Sequence, residues 1–277
     1  FLIKEQSSMC GRYVNVSKIK AVEKRFSALV ERPELYAPNT NIGIGSLAPV
    51  ITQEHPDRIK HYKFGFTPYW AKKPFHLFNA RSEGDYNKDN AMHYRGAKGI
   101  TTKPAFRQSI RSKRCLVLAD AFIEGPQKER LSKPYVMYKR DGSPFAFAGI
   151  YDSWVNPDTG EILDTFAVIT TVSNKITAAI DHHRSPVILH EEDESMWLDG
   201  STPLAEVTDV LTPYPAEELN AYPISAAIKN PRSNGPELLK PIGQRLVAEY
   251  DYEIYNHLGL QGMGMTTARQ RKLDLGF

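Results

Sequence analysis

The 277-residue chain is poor in cysteine, with only Cys10 and Cys115. Two cysteines exclude a disulfide framework and a cysteine-rich zinc site, and that usage points to a reducing, cytosolic compartment. No uninterrupted apolar run of about 18 residues occurs, which excludes a membrane-spanning helix. Phe1 to Ser8 carry two charges and no apolar stretch of signal length, so no secretory signal is read there. Charge of one sign is not in excess either. The 35 Lys+Arg and 32 Asp+Glu leave +3, too little for total charge to diagnose a nucleic-acid binder. Also missing are a glycine-rich phosphate loop followed by lysine, His-Glu-x-x-His and Gly-x-Ser-x-Gly.

What is present is ordinary globular composition: 41% hydrophobic, 10% aromatic and 24% charged residues. That length suits one large domain or two small ones. No linker, repeat or low-complexity tract divides it. Nineteen prolines and eighteen glycines favour strands and loops over long helices. The spacing of Ile19, Val22, Phe26 and Leu29 predicts a helix from a cap at Ser17. A second helix is predicted from Thr202, with Pro203 in its first turn and Leu204, Val207 and Leu211 on one face.

Between these the pattern is strand. Tyr62, Phe64 and Phe66 alternate with Lys63 and Gly65, and Cys115 to Ala119 is a short apolar run. Tyr135 to Tyr138, the Asp141-Gly142 turn and Phe145 to Trp154 read as a hairpin, and Thr165 to Thr171 comes after it. The expected fold is α+β, a mainly antiparallel, curved, barrel-like sheet with flanking helices. The end of the chain from Gly262, with Arg269, Arg271 and Lys272, is polar and basic, and terminal stretches of that kind are commonly mobile.

Two features invite chemistry. His182-His183 has no Cys, Asp or His partner at a usual metal spacing, so a loop pair with one ring packed and one solvated competes with a metal site. Met9-Cys10-Gly11-Arg12-Tyr13 is sharper. If Met9 is the start and is removed, Cys10 carries a free amine (pKa about 7.7) and a thiol (about 8.5) on one residue. Such a 1,2-aminothiol condenses with an aldehyde to a Schiff base, and the thiol then closes a thiazolidine ring. The alternative is a small buried hydrophobe, a common fate of free cysteine. Chemistry alone leaves both open.

The same residues resemble the SRAP family, the SOS-response-associated peptidase-like proteins that crosslink abasic DNA. Met9-Cys10-Gly11-Arg12-Tyr13 matches the family's opening, and Phe64-Gly65-Phe66-Thr67-Pro68-Tyr69-Trp70-Ala71 its Trp-Gly-Leu-Ile-Pro-x-Trp-Ala segment. Asn79-Ala80-Arg81-Ser82-Glu83 matches Asn-Ala-Arg-x-Glu. Phe106-Arg107, then Arg114-Cys115-Leu116 through Ala119-Asp120-Ala121-Phe122-Ile123-Glu124, resembles the stretch ending in the catalytic glutamate. Phe147 to Tyr151 and Thr165 to Thr171 fit its central strands. His182-His183-Arg184-Ser185-Pro186 and Tyr222-Pro223-Ile224-Ser225 resemble the two late motifs. The likeness spans roughly residues 9 to 230, with the motifs in order.

The resemblance implies a domain over 10–240, preceded by residues 1–9 as a leader or appended stretch and followed by a partly mobile extension over 241–277. It implies that Cys10 is the nucleophile toward C1′ of a ring-opened abasic sugar. Asn79 would hold the thiol or amine, Glu124 would shuttle protons to the amine, and His182 would protonate the sugar ring oxygen. Arg12 and Arg81 fit phosphate contacts, with Arg107 and Arg184 as weaker candidates. Trp70, followed by Lys72-Lys73, would stack on a base beside the gap, worth about 1–3 kcal/mol. Each arginine also fits a surface salt bridge, Asn79 a turn, Glu124 a solvated strand end and Trp70 the core.

The implied protein is a monomer at the nucleoid in the cytoplasm. It binds single-stranded DNA, or a single-strand/double-strand junction, carrying an abasic site. It needs no cofactor and no metal, and it carries a self-cleaving peptidase activity alongside lyase-like crosslinking. The sequence departs from the family in four places. Gly125 stands where the family has Trp after the catalytic Glu, and Phe64 replaces a Trp. Asn41-Ile42-Gly43-Ile44 replaces Asn-Ile-Ala-Pro, and His183 and Ser185 replace Asp and Met.

Overall fold

The computed structural model describes residues 11–249. In chain order the first half holds β1 (Arg12–Asn15), α1 (Ile19–Phe26), β2 (Leu29–Val30), β3 (Asn39–Gly43), β4 (Leu47–Thr52), β5 (His55–Phe64) and β6 (Asn79–Arg81). Next come α2 (Ser109–Ser112), β7 (Arg114–Ala119), β8 (Ala121–Glu124), β9 (Tyr135–Lys139), β10 (Phe145–Val155) and β11 (Ile162–Val172). The last elements are α3 (Lys175–Ala179), β12 (Arg184–Pro186), α4 (Glu191–Leu198), α5 (Leu204–Asp209) and β13 (Leu219–Pro223).

The strands form two sheets. One runs β13-β9-β8-β1-β3, all antiparallel. The other runs β12-β11-β10-β7-β4-β5-β2. In it β11 also pairs in parallel with β5, Phe166 opposite Phe64, and this closes β5-β4-β7-β10-β11 into a five-stranded barrel. The α+β, barrel-like expectation is therefore met, with parallel contacts of β11–β5, β11–β6 and β2–β5 added to a mainly antiparallel plan.

Strand alternation divides the core. On β10, Phe145, Phe147 and Tyr151 pack with Tyr13, Phe122 and Met137 of the first sheet, while Ala146, Ala148 and Ile150 face Val22, Trp197 and Val207 of the helices. On β7, Cys115, Val117 and Ala119 take the first side and Leu116 and Leu118 the second. Both faces of these strands are buried, as continuous apolar runs require. Cys115 is a packed hydrophobe whose thiol burial pushes far up, so it is inert.

Three local expectations are corrected. Helix α1 starts at Ile19, and Ser17 does not cap it. Ser17 donates instead through both N–H and Oγ to the fully buried Asp120, at 2.9 and 2.5 Å. The helix ends at Ser27, whose left-handed φ of 51° turns Leu29 onto a strand. The second predicted helix begins two residues late, at Leu204, with Pro203 as its cap. The predicted β9–β10 hairpin does not form. The Asp141-Gly142 turn is made, with Gly142 at φ 72° and its N–H on Lys139 O. However, β9 pairs with β8 and β13, and β10 with β7 and β11. The turn carries the chain from one sheet to the other, because turn chemistry fixes a reversal and not the partner of the next strand.

Helix α4 has no counterpart in the predicted pattern. Its first turn, Glu191 to Glu194, sets carboxylates at the positive end of the helix, while Trp197 and Leu198 plug the core. Residues 241–249 are tied to the first sheet. Ile242 N–H donates to Pro223 O at 2.9 Å, Leu246 N–H to Ala221 O at 2.9 Å, and Tyr138 Oη to Glu249 at 2.8 Å. Among the described residues no helix is long and apolar enough to cross a membrane.

Candidate functional site

The first sheet brings three chain segments to one end. β1 runs between β3 and β8, with Arg12 opposite Gly43 and Tyr13 opposite Phe122. Continued by two residues, the β1–β8 register sets Gly11 opposite Glu124, the last residue of its strand. A groove of about 380 Å³ opens there, lined by Gly11, Arg12, Ile44, Phe78, Glu124 and Leu131 among others. Cys10 itself lies outside the described residues. Its covalent neighbour Gly11 is on the groove wall, 3.8 Å from the Phe78 ring as measured to an ideal Cβ position.

Glu124 and His182 meet directly. His182 Nε2 is 3.6 Å from Glu124 Oε2, and the two side chains are 1% and 5% exposed. The His182 Nδ1–H donates to the Gly125 carbonyl at 2.8 Å, and its ring stacks on that of His183 at 5.9 Å. A buried carboxyl next to an imidazole at a groove is an acid–base pair. His183 is half-buried. Burial first, then the neighbouring His182, Arg184 and Arg81, lower its pKa. Among the described residues no cluster of three His, Cys, Asp or Glu is arranged to hold a metal.

Asn79 opens β6, which lies parallel to β11 with Asn79 opposite Val168. Its chain neighbour Phe78 is the groove residue. Two residues on, Arg81 donates from Nη2 to Asn87 O at 2.9 Å and Asn90 Oδ1 at 2.7 Å. Arg184 is fully buried, and its Nη2 donates to Glu83 at 2.8 Å and Thr170 at 3.3 Å. The Nε atoms of Arg81 and Arg184, and Nη1 of Arg184, have no hydrogen-bond acceptor among the described residues. Burial and then the charge of Arg184 lower the Arg81 pKa. Burial alone would raise the Glu83 carboxyl, but the hydrogen bond and charge of Arg184 outweigh it and hold that carboxyl low.

Arg12 is half-buried. Nη1 donates to Asn41 Oδ1 at 2.5 Å and Nη2 to Lys229 O at 2.9 Å, tying β1 to the loop after β13. Arg107 is exposed on the turn into α2 and does not line the groove. Trp70 is no core residue, being 47% exposed and edge-on to the equally exposed Phe75 at 5.7 Å. The loop bearing it is closed by the Phe66–Leu77 bridge and held by Tyr69 N–H on Asp152 at 2.8 Å and Trp154 Nε1–H on Ala71 O at 2.6 Å.

Phe78, Leu131 and the Gly125 carbonyl are site features that sequence reasoning missed, whereas Ile44 stands in the Asn41-Ile42-Gly43-Ile44 segment already noted as a departure. Phe78 was within reach, since it immediately precedes Asn79, the first residue of β6. Gly125 stood out only as a departure. A Cβ there would lie 1.9 Å from Arg130 O, so this backbone admits only glycine.

The profile of the SOS response associated peptidase (SRAP) family matches residues 9–231. The chain belongs to the SRAP family. Among its relatives is the abasic site processing protein YoqW of Bacillus subtilis, 31% identical over 239 residues, covering 84% of this chain and 99% of YoqW. The abasic site processing protein HMCES of Xenopus tropicalis is 28% identical, over 75% of this chain and 67% of its own. A crystal structure of a Bacteroides thetaiotaomicron protein superposes with a TM-score of 0.71 at 28% identity, covering 84% of this chain and all of that one. SRAP membership and fold thus agree with the sequence motifs.

Proposed function

We propose that this SRAP protein processes abasic sites in DNA, forming a covalent thiazolidine between Cys10 and the ring-opened sugar. The observation that carries the reading is the groove in which Gly11, joined to Cys10, faces Glu124 with His182 against it. The names of the relatives support the same substrate.

The amine of Cys10 attacks C1′ of the aldehyde, water leaves, and an imine forms. The thiol then adds to the imine carbon and closes the ring. Glu124 takes the proton released by the amine, and Asn79 holds the nucleophile. While residues precede Cys10, its nitrogen is an amide and cannot condense. Hydrolysis of the Met9–Cys10 bond, begun by thiol attack on the Met9 carbonyl, releases the amine. No cofactor enters either step. Arg12, Arg81, Arg107 and Arg184 gather phosphates, and Trp70 stacks on a base of single-stranded or junction DNA. Arg81 and Arg184 carry N–H donors with no acceptor among the described residues, which supports that role. The protein acts as a monomer on nucleoid DNA in the cytoplasm.

The test is the intact mass of the protein after incubation with a single-stranded oligonucleotide bearing one abasic site. The expected product has lost residues 1–9 and gained the oligonucleotide less one water, and Cys10→Ala gives none. A free N-terminal Cys10 with no adduct overturns the reading. A peptide library cut by the unmodified protein and spared by Cys10→Ala would then make it a peptidase acting on proteins. Salt-sensitive binding without any covalent product would make it a non-catalytic DNA-binding module.

A further inference from the structure

We infer that Gly125 is a positioning residue of this site: its carbonyl fixes His182 in the Nδ1–H tautomer and makes Nε2 the acceptor for a proton collected by Glu124. The tautomer is dictated by the fold. The proton relay rests in addition on the abasic-site reading above.

A carbonyl oxygen only accepts, so the 2.8 Å contact between His182 Nδ1 and Gly125 O requires the hydrogen on Nδ1. A neutral imidazole has one N–H, so Nε2 is left with its lone pair. That atom is buried, makes no hydrogen bond among the described residues, and has Glu124 Oε2 3.6 Å away. The separation is too long for a hydrogen bond at rest, and a small approach converts it to one once the carboxyl carries a proton. Glu124 lines the groove and His182 stands against it. The relay then balances. The Cys10 ammonium gives a proton to the Glu124 carboxylate, the carboxyl passes it to Nε2, and the imidazolium keeps its Nδ1–H on Gly125 O. Glu124 is again a carboxylate, and the amine is free to attack C1′.

The Gly125 carbonyl is held by the chain crossing over itself. The Gly125 α-carbon lies against Arg130, whose carbonyl oxygen would sit 1.9 Å from any added Cβ, with Lys133 O at 3.1 Å. Arg130 has a left-handed φ of 52°, and its N–H donates to Pro126 O at 2.7 Å. Gln127 N–H donates to Asp181 O at 3.1 Å, tying the loop to the residue just before His182. The loop and the imidazole are thus bound at two adjacent positions. A side chain of any size at position 125, the tryptophan that the resemblance puts there included, would collide with Arg130 O on this backbone.

The first experiment needs no DNA and no variant. Long-range proton–nitrogen NMR of the full chain carrying ¹⁵N-histidine reads the neutral His182 ring directly. Protonated Nδ1 with pyridine-like Nε2 is expected, and the reverse pattern overturns the inference. The second uses Gly125→Ala, whose methyl forces the crossing apart and carries the carbonyl with it. The folded variant should show a mixed or reversed tautomer and crosslink about 100-fold more slowly at unchanged oligonucleotide affinity. A folded variant with unchanged tautomer, or with an unchanged rate, overturns the positioning role. If the unmodified protein shows the expected tautomer but forms no adduct, the abasic-site reading fails and the tautomer assignment stands.

Discussion

Arg114 and Arg184 are both essentially unexposed, at 1% and 0%, yet their surroundings differ in kind. Arg114 spends four of its five N–H donors on backbone. Nε donates to Trp197 O at 2.6 Å, Nη1 to Ile110 O and Arg111 O at 3.1 and 2.9 Å, and Nη2 to Asp199 O at 2.6 Å. It closes the C-terminal ends of α2 and α4, where carbonyls lack partners and a cation is favoured. Among the described residues Arg184 uses only Nη2, and its Nε and Nη1 find no acceptor. A buried donor without an acceptor costs about 1–3 kcal/mol. Equal burial therefore conceals different hydrogen bonding: Arg114 is finished by the fold, and Arg184 is left open.

Breaking the finished one has the largest effect. Arg114→Met takes the donor from four carbonyls, two in buried and two in part-buried contacts, and should cost about 4 kcal/mol in urea unfolding. The crosslinking rate per folded molecule should not change, since nothing links Arg114 to the groove. A parallel loss of rate would erase the distinction between the two arginines.

Arg184→Met is next. It strands Glu83 as an unpaired buried carboxylate and should cost about 3 kcal/mol, with oligonucleotide binding lost as well. Adding Glu83→Gln removes the stranded charge. The double variant should regain most of the stability and none of the affinity, read by urea unfolding and by titration with the abasic oligonucleotide. If affinity returns with stability, Arg184 serves the fold alone.

Sequence motifs flagged Arg184 and passed over Arg114, although both stand in family-like segments. A residue type carries no count of its acceptors. The partners of Arg114 come from positions 110, 111, 197 and 199, which only the folded chain assembles. The same limit explains the fold. The strand character of β7, β10 and β11 was legible because apolar runs and turns are local. The parallel β11–β5 contact that closes the barrel, and the switch of sheets at Asp141-Gly142, were not, because each depends on partners far along the chain. Glu124 and His182 were each legible from a motif, but their contact was not. The Gly125 carbonyl that orients His182 was invisible, since it is backbone.

The smallest effect separates the two sites by pH. Arg114 hydrogen-bonds only to carbonyls, and the carboxylate that feels its charge, Asp199, is exposed and held low first by its bonds to Ser201, so little acidic titration couples to Arg114. Arg184 faces Glu83, whose folded carboxyl is held below the ordinary value of 4.5 by Arg184 despite burial. A depressed folded pKa means the native state binds fewer protons than the unfolded one, so this contribution is complete above about pH 4.5 and fades as pH falls through the lower, folded value. Unfolding free energy should therefore decline on acidification below about pH 4.5, and Glu83→Gln should flatten that decline relative to the unmodified protein. Urea titrations at successive pH values check it. An identical slope in the variant would mean that Arg184 does not hold Glu83 ionised, and that the open arginine has no fixed counter-charge in the fold.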